Sequence, residues 1–143
     1  MELIKQHQEE IIEEFALLDD NMEMMLDYIM ELGGELGDLP EAEKTEDNIV
    51  KGCQSKVWMT AKLENGKMSF KADSNTAITK GLVSLLVRVF NQSTPSDIIK
   101  AEVYFPGQIG MDRFIGTQRS NGFAAMIKQM KLFAVAFNAE QEI

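Results

Sequence analysis

The stretch Val50 to Trp58, VKGCQSKVW, holds the only cysteine of a 143-residue chain. A lone thiol cannot close an internal disulfide. With a single histidine, His7, it also cannot furnish the several soft ligands that zinc or an iron–sulfur cluster takes. Two roles remain for Cys53, inert packing or nucleophilic chemistry. Free cysteine is among the most buried residue types, which favours packing. The neighbours favour a loop tip: Gly52 permits unusual backbone angles, and Gln54 and Ser55 are polar. The thiolate is the reactive form and is only about 3% of an ordinary thiol at pH 7, so a reactive Cys53 needs help from its surroundings. Lys51 and Lys56 flank it, and each alone also suits an ordinary solvated strand edge. A Cys–His dyad requires the fold to carry His7 across from the N-terminal segment.

The elements that position the thiol follow from hydrophobic spacing. Ile4, Gln8, Ile11, Phe15 and Leu18 step at helical intervals, as do Met22, Met25, Ile29, Leu32 and Leu36. Asp19, Asp20 and Asn21 break the two helices and cap the second, and the glycines of GGELGDLP are expected to stop it before Pro40. Residues 37–48 read as a polar connecting loop. From Val57 the period becomes two, and Asn65-Gly66 is a strong hairpin signal because a type I′ turn needs positive φ at both central residues. A two-residue turn fixes the register: Glu64 opposite Lys67, Leu63 opposite Met68, Ala61 opposite Phe70, Met59 opposite Ala72 and Trp58 opposite Asp73. Cys53 and Asp73 then belong to the same end of the sheet. A short third strand is expected at Asn48–Val50.

Beyond the hairpin, Ser74 or Asn75 can cap a helix bearing Ile78, Leu82, Leu85, Leu86 and Val89, apolar nearly all round and so the expected central helix. Its N-terminus would lie near the thiol and offer a favourable dipole. Thr94 and Pro95 open a short helix. Residues 104–118 are expected as loop with one helical turn. A last helix starts near Arg119 and Ser120 and carries Phe123, Met126, Ile127, Met130, Ala134 and Phe137. The length suits one domain over residues 1–143. No apolar run is long enough for a membrane span, and the acidic, amphipathic N-terminus is unlike a signal peptide, so a cytoplasmic protein is expected.

The formal charge of −9 argues against binding a nucleic-acid backbone. It is unevenly spread: residues 1–50 hold 16 acidic and 2 basic side chains, residues 51–143 hold 7 and 12. An acidic solvated face on the first helices accounts for this. A basic surface around Cys53 that meets an acidic partner is the sharper alternative.

Four segments in order, YIMELGGELGDLP, VKGCQSKVW, ADSNTAITKGL and QRSNGFAAMI, resemble the SufE family of sulfur-acceptor proteins. The resemblance implies an α+β fold with a small antiparallel sheet flanked by helices, related to IscU-type scaffolds. It also implies that Cys53 takes sulfur as a persulfide from a SufS-type cysteine desulfurase and enhances that enzyme. The sulfur would then pass to a SufB-containing (SufBCD-type) assembly complex. The chain itself needs no cofactor on this reading, since the pyridoxal phosphate belongs to the desulfurase. Gly52, Gln54 and Ser55 would then form the movable acceptor loop with Cys53, expected tucked against the sheet end at rest because an exposed persulfide would be lost to small thiols. By family match, Asp73 and Arg119 stand beside it, Arg119 supplying positive charge and pairing with Asp73, either for the chemistry or as an ion pair that orients the last helix. The alternatives are a CsdE-like partner of a CsdA-type desulfurase and a non-catalytic adaptor of the same fold.

Overall fold

The computed structural model describes residues 2–141. Its helices and strands run α1 (Glu2–Ala16), α2 (Met22–Glu35), β1 (Val57–Glu64), β2 (Lys67–Ser74), α3 (Ala77–Phe90), α4 (Pro95–Lys100), α5 (Phe105–Gln108), α6 (Met111–Ile115) and α7 (Thr117–Gln141). Helices and a two-stranded antiparallel sheet make an α+β fold. The register is the one the turn and pattern require, from Glu64 opposite Lys67 to Trp58 opposite Asp73. Asn65 and Gly66 both take positive φ, as a type I′ turn demands.

The sheet lays Met59, Met68, Phe70 and Ala72 against α3, whose Leu82, Leu85, Leu86 and Val89 are buried. Helix α3 is enclosed because its apolar surface leaves no polar stripe wide enough to face water. Lys80 and Arg88 are its charged residues, and Arg88 pairs with Glu14 of α1, which also accepts from Tyr28 of α2. Helices α2 and α3 meet backbone to backbone, since a Cβ on Gly33 would lie 2.7 Å from the amide nitrogen of Gly81. Gly33 and Gly34 therefore sit inside α2 instead of stopping it. The helix ends at Glu35, ahead of Gly37 at φ +83°. The expectation that the glycines stop the helix holds for Gly37 alone; Gly33 serves the contact with α3, and a Cβ on Gly34 would meet nothing within 4 Å.

Other expectations shift in detail. Asn48–Val50 forms no third strand: Ile49 makes a single bridge to Trp58, and the Val50 amide donates to the Val57 carbonyl at 2.8 Å. A 3-10 turn at Glu46–Asn48 precedes that bridge and a turn at Lys51–Gly52 follows it, so no length remains for a ladder. The 104–118 segment holds two short helices, α5 and α6, and α7 begins at Thr117, ahead of Arg119. Neither Ser74 nor Asn75 caps α3, because both are spent on Lys56, as described below. Asn21 and Thr94 cap α2 and α4 as expected, accepting from Met24 and Asp97 amides at 3.0 and 3.2 Å. Gln8, in the apolar stripe of α1, is buried because its amide group serves the 102–105 turn: it accepts from the Tyr104 and Phe105 amides and donates to the Glu102 carbonyl. Among the described residues no helix is long and apolar enough to cross a membrane.

Candidate functional site

Cys53 hangs in a short loop between two anchored ends. On the upstream side the Val50 amide is bonded to Val57. On the downstream side the Lys56 amide donates to Asn75 Oδ1 at 3.0 Å, and the Lys56 carbonyl accepts from Ser74 Oγ at 2.8 Å and from the Asn75 amide at 3.2 Å. The SNT sequence at the end of β2 is thus a clasp for the root of the loop. Gly52 makes the bend at φ +100°, and a Cβ there would come within 3.0 Å of Ala125 Cβ on α7. Only glycine meets both conditions without strain.

The loop is folded inward, with Cys53 half-buried. Its thiol donates to the Gly122 carbonyl at 3.4 Å and packs against Gly122, where an added Cβ would stand in ordinary van der Waals contact at 3.5 Å from the sulfur. Beside it lies a cavity of about 110 Å³. Gln54 and Ser55 from the loop, Thr79 and Leu82 from α3, and Arg119 and Met126 from α7 contribute to its lining. Ser55 Oγ accepts from Thr76 Oγ1 at 3.2 Å. Burial pushes the Cys53 pKa above its ordinary value, so in this seat the sulfur is held as the neutral thiol.

Asp73 and Arg119 do not pair. Arg119, exposed, lines the thiol cavity and donates to the Ile115 carbonyl at 3.2 Å. Asp73 is at the expected end of the sheet, but strand alternation turns it to the face opposite Ala72, under the 37–44 loop. There its carboxylate accepts from the Leu39 and Ser74 amides at 2.9 and 2.8 Å and meets Lys44 and Lys80, each at 3.4 Å. Burial works to raise its pKa, and these hydrogen bonds with the Lys80 charge outweigh it, so the Asp73 pKa lies below its usual value. Lys44 also stands 5.5 Å from the centre of the Trp58 ring, which explains the large aromatic on the polar face of β1.

His7 is not part of the site. Its Nδ1 lies 3.1 Å from the Val89 carbonyl, near the far end of α3 from Thr79 and about 15 Å along that helix by its rise per residue. Thr79, Gln118 and Gly122 are the cavity residues that residue-by-residue reading passed over. All three fall within the segments ADSNTAITKGL and QRSNGFAAMI, and Thr79 was legible as a polar break in an apolar helix. Among the described residues no group of three His, Cys, Asp or Glu side chains is placed to hold a metal ion.

Fold and site together define an α+β protein with a single thiol on an anchored, inward-folded loop. The family model for the SufE "Fe-S metabolism associated domain" matches residues 9–134. A SufE-like protein of Rhizobium meliloti is 34% identical over 128 residues, covering 86% of this chain and 91% of that one. One from Synechocystis is 37% identical over 109 residues, covering 76% and 69%. A hypothetical protein from Thermus thermophilus, solved in solution, shares the fold with a TM-score of 0.74 at 18% identity, covering 91% of this chain and 94% of that one. The chain belongs to the SufE family, which places it in Fe–S metabolism in a sulfur-transfer role, with a cysteine desulfurase as its general class of partner.

Proposed function

We propose that Cys53 is the sulfur acceptor, loaded by a SufS-type desulfurase and unloaded to a SufB-containing assembly complex in the cytoplasm. The observation that carries this reading is the seat of the only thiol: a loop with firm roots and a lightly held tip, folded over a cavity larger than the sulfur it holds. The desulfurase, through its own pyridoxal phosphate, draws sulfur from L-cysteine and holds it as a cysteine persulfide. Outside its seat, the Cys53 thiol gives up its proton, and the thiolate attacks the outer sulfur of that persulfide. The new bond joins Cys53 Sγ to the outer sulfur, the old sulfur–sulfur bond breaks, and the desulfurase thiolate leaves and takes up a proton. One sulfane sulfur moves and no external oxidant or reductant is needed. Refolding of the tip over the cavity then shelters the persulfide from small thiols. The Arg119 guanidinium at the cavity edge, which meets no carboxylate among the described residues, favours the persulfide anion.

Intact mass spectrometry after incubation with the desulfurase and L-cysteine tests the claim. Wild-type protein should gain one sulfur on Cys53 and Cys53→Ser none. An unmodified wild-type Cys53 would sink it, and retention of function by Cys53→Ala would point to an adaptor in its place.

A further inference from the structure

The thiol cavity contains a hydroxyl that nothing in the resting fold uses. Thr79 lines the cavity alongside Leu82 and Met126, and it is only 6% exposed. Its Oγ1 makes no hydrogen bond among the described residues. The reason lies in its place on α3. A helical threonine ordinarily returns its hydroxyl to a carbonyl three or four residues back, and Thr79 is the third residue of α3, so Asn75 and Thr76 precede the helix. A side chain in the first turn also leans toward the helix start, and here the start faces the thiol loop, where Thr76 meets Ser55. A buried hydroxyl without a partner destabilises the fold unless something bonds it.

The other polar groups of the lining differ. Gln54, Gln118 and Arg119 are exposed and reach water, and Ser55 Oγ already accepts from Thr76 Oγ1. No side chain caps α3, so the positive end of its dipole stays available beside the same loop. One buried donor, an uncapped helix start and apolar walls suit a small, electron-rich guest. Cys53 lines this cavity too, and a sulfur–sulfur bond is about 2 Å long, so the second sulfur of a Cys53 persulfide has this space to enter.

We propose that Thr79 is the positioning residue for the carried sulfur, its hydroxyl donating to the outer sulfur of the Cys53 persulfide while the loop is folded inward. The proposal rests on the sulfur-acceptor reading and adds the group that holds the cargo. The empty thiol has its own partner, the Gly122 carbonyl, so Thr79 serves the loaded state alone. Held in this way, the outer sulfur is turned from solvent, and a small thiol reaches it only when the tip lifts. The small thiolate then bonds the outer sulfur, the sulfur–sulfur bond breaks and Cys53 leaves as thiolate.

The test loads Cys53 of the full chain without the desulfurase. Sulfide displaces the leaving thiolate from a mixed disulfide on Cys53, which leaves the persulfide, and survival of the added sulfur against glutathione is followed by intact mass. Thr79→Val keeps the shape and removes the donor; it should lose the sulfur about fivefold faster than wild type, the size of one net hydrogen bond. Thr79→Ser keeps the donor and should match wild type within about twofold. Alkylation of unloaded Cys53 should run at one rate in all three proteins, because the empty seat uses Gly122. Equal survival in wild type and Thr79→Val overturns the proposal, as does a Thr79→Ser that behaves like Thr79→Val. Faster alkylation of unloaded Thr79→Val, in step with its faster sulfur loss, also overturns it, since the loop is then merely loosened. A wild type that takes chemical sulfur and none from the desulfurase overturns the acceptor reading by itself, because the comparison at Thr79 does not use that enzyme.

Discussion

Two loops converge on the open end of the hairpin, and they are held in opposite ways. Residues 37–44 are clamped: one buried carboxylate, Asp73, holds the Leu39 amide, Lys44 and Lys80, and Lys44 lies over Trp58. Residues 51–55 are fixed at their roots, with the rest held by a weak thiol hydrogen bond, an exposed hydroxyl contact between Ser55 and Thr76, and the contact of Gly52 with α7. The clamped loop loses its seat only at the cost of unpaired charge in a buried place. The thiol loop loses little when its tip lifts, because a sulfur–carbonyl bond is weak and every group released is readily solvated. The same end of the sheet thus supplies a rigid frame and a detachable carrier, which is the division that handing an atom between proteins requires.

The sharpest way to break this contrast is to exchange the expected phenotypes. Cys53→Ser should abolish sulfur uptake completely while changing unfolding free energy by less than about 1 kcal/mol, measured by denaturant melts. Asp73→Ala should do the reverse. It strands the Leu39 amide and takes one carboxylate from Lys44 and Lys80, which keep Glu41 and Asp38, and should cost about 2 kcal/mol of stability, with sulfur uptake retained in the molecules that remain folded. If Asp73→Ala instead leaves stability intact and removes uptake, Asp73 belongs to the chemistry and the comparison fails.

Acid titration sharpens the clamp. The folded Asp73 pKa lies below the unfolded one, about 3.9, so its stabilising contribution is fully present above that value and is lost as pH falls through the folded value. Wild-type stability should therefore fall more steeply below about pH 4 than that of Asp73→Asn, which has no such group to protonate. Parallel acid melts of the two proteins would remove Asp73 as the cause.

Smaller effects probe the carrier and its surroundings. Gly52→Ala forces a strained positive φ and a crowded Cβ against Ala125, which should cost about 1–2 kcal/mol, mainly from the inward position of the tip. Its Cys53 should alkylate several-fold faster than wild type, and an unchanged rate would show that Gly52 does not govern the seat. In wild type the alkylation rate should keep rising above the pH at which an ordinary thiol has levelled off, because burial holds the Cys53 pKa high. Least of all, Lys44→Ala should lower stability slightly through loss of its contacts with Asp73 and the Trp58 ring, and should shift Trp58 fluorescence.

How far the sequence reaches can be seen residue by residue. Asn65-Gly66 and the alternation around it fixed the hairpin register, because a two-residue turn leaves one pairing that keeps every apolar side chain on one face. That register alone put Asp73 and Cys53 at one end of the sheet. The caps at Asn21 and Thr94 and the core stripe of α3 were equally legible, since they depend on neighbours within a turn or two of the chain.

Long-range choices were not legible. Nothing local distinguishes a glycine that ends a helix from one that lets another helix touch it, so Gly33 was settled only by the presence of Gly81. Asp73 and Arg119 have complementary charge and adjoin the same loop, yet the pleat of β2 sends the carboxylate to Leu39, Lys44 and Lys80 while α7 leaves the guanidinium at the thiol cavity. By itself the sequence determined that one thiol would stand on a loop at the end of a hairpin, for turn chemistry and hydrophobic period are local. Only the tertiary structure decided what faces that thiol, because the groups that meet it, Gly122, Thr79 and Arg119, come from helices whose approach is set by packing across the whole core.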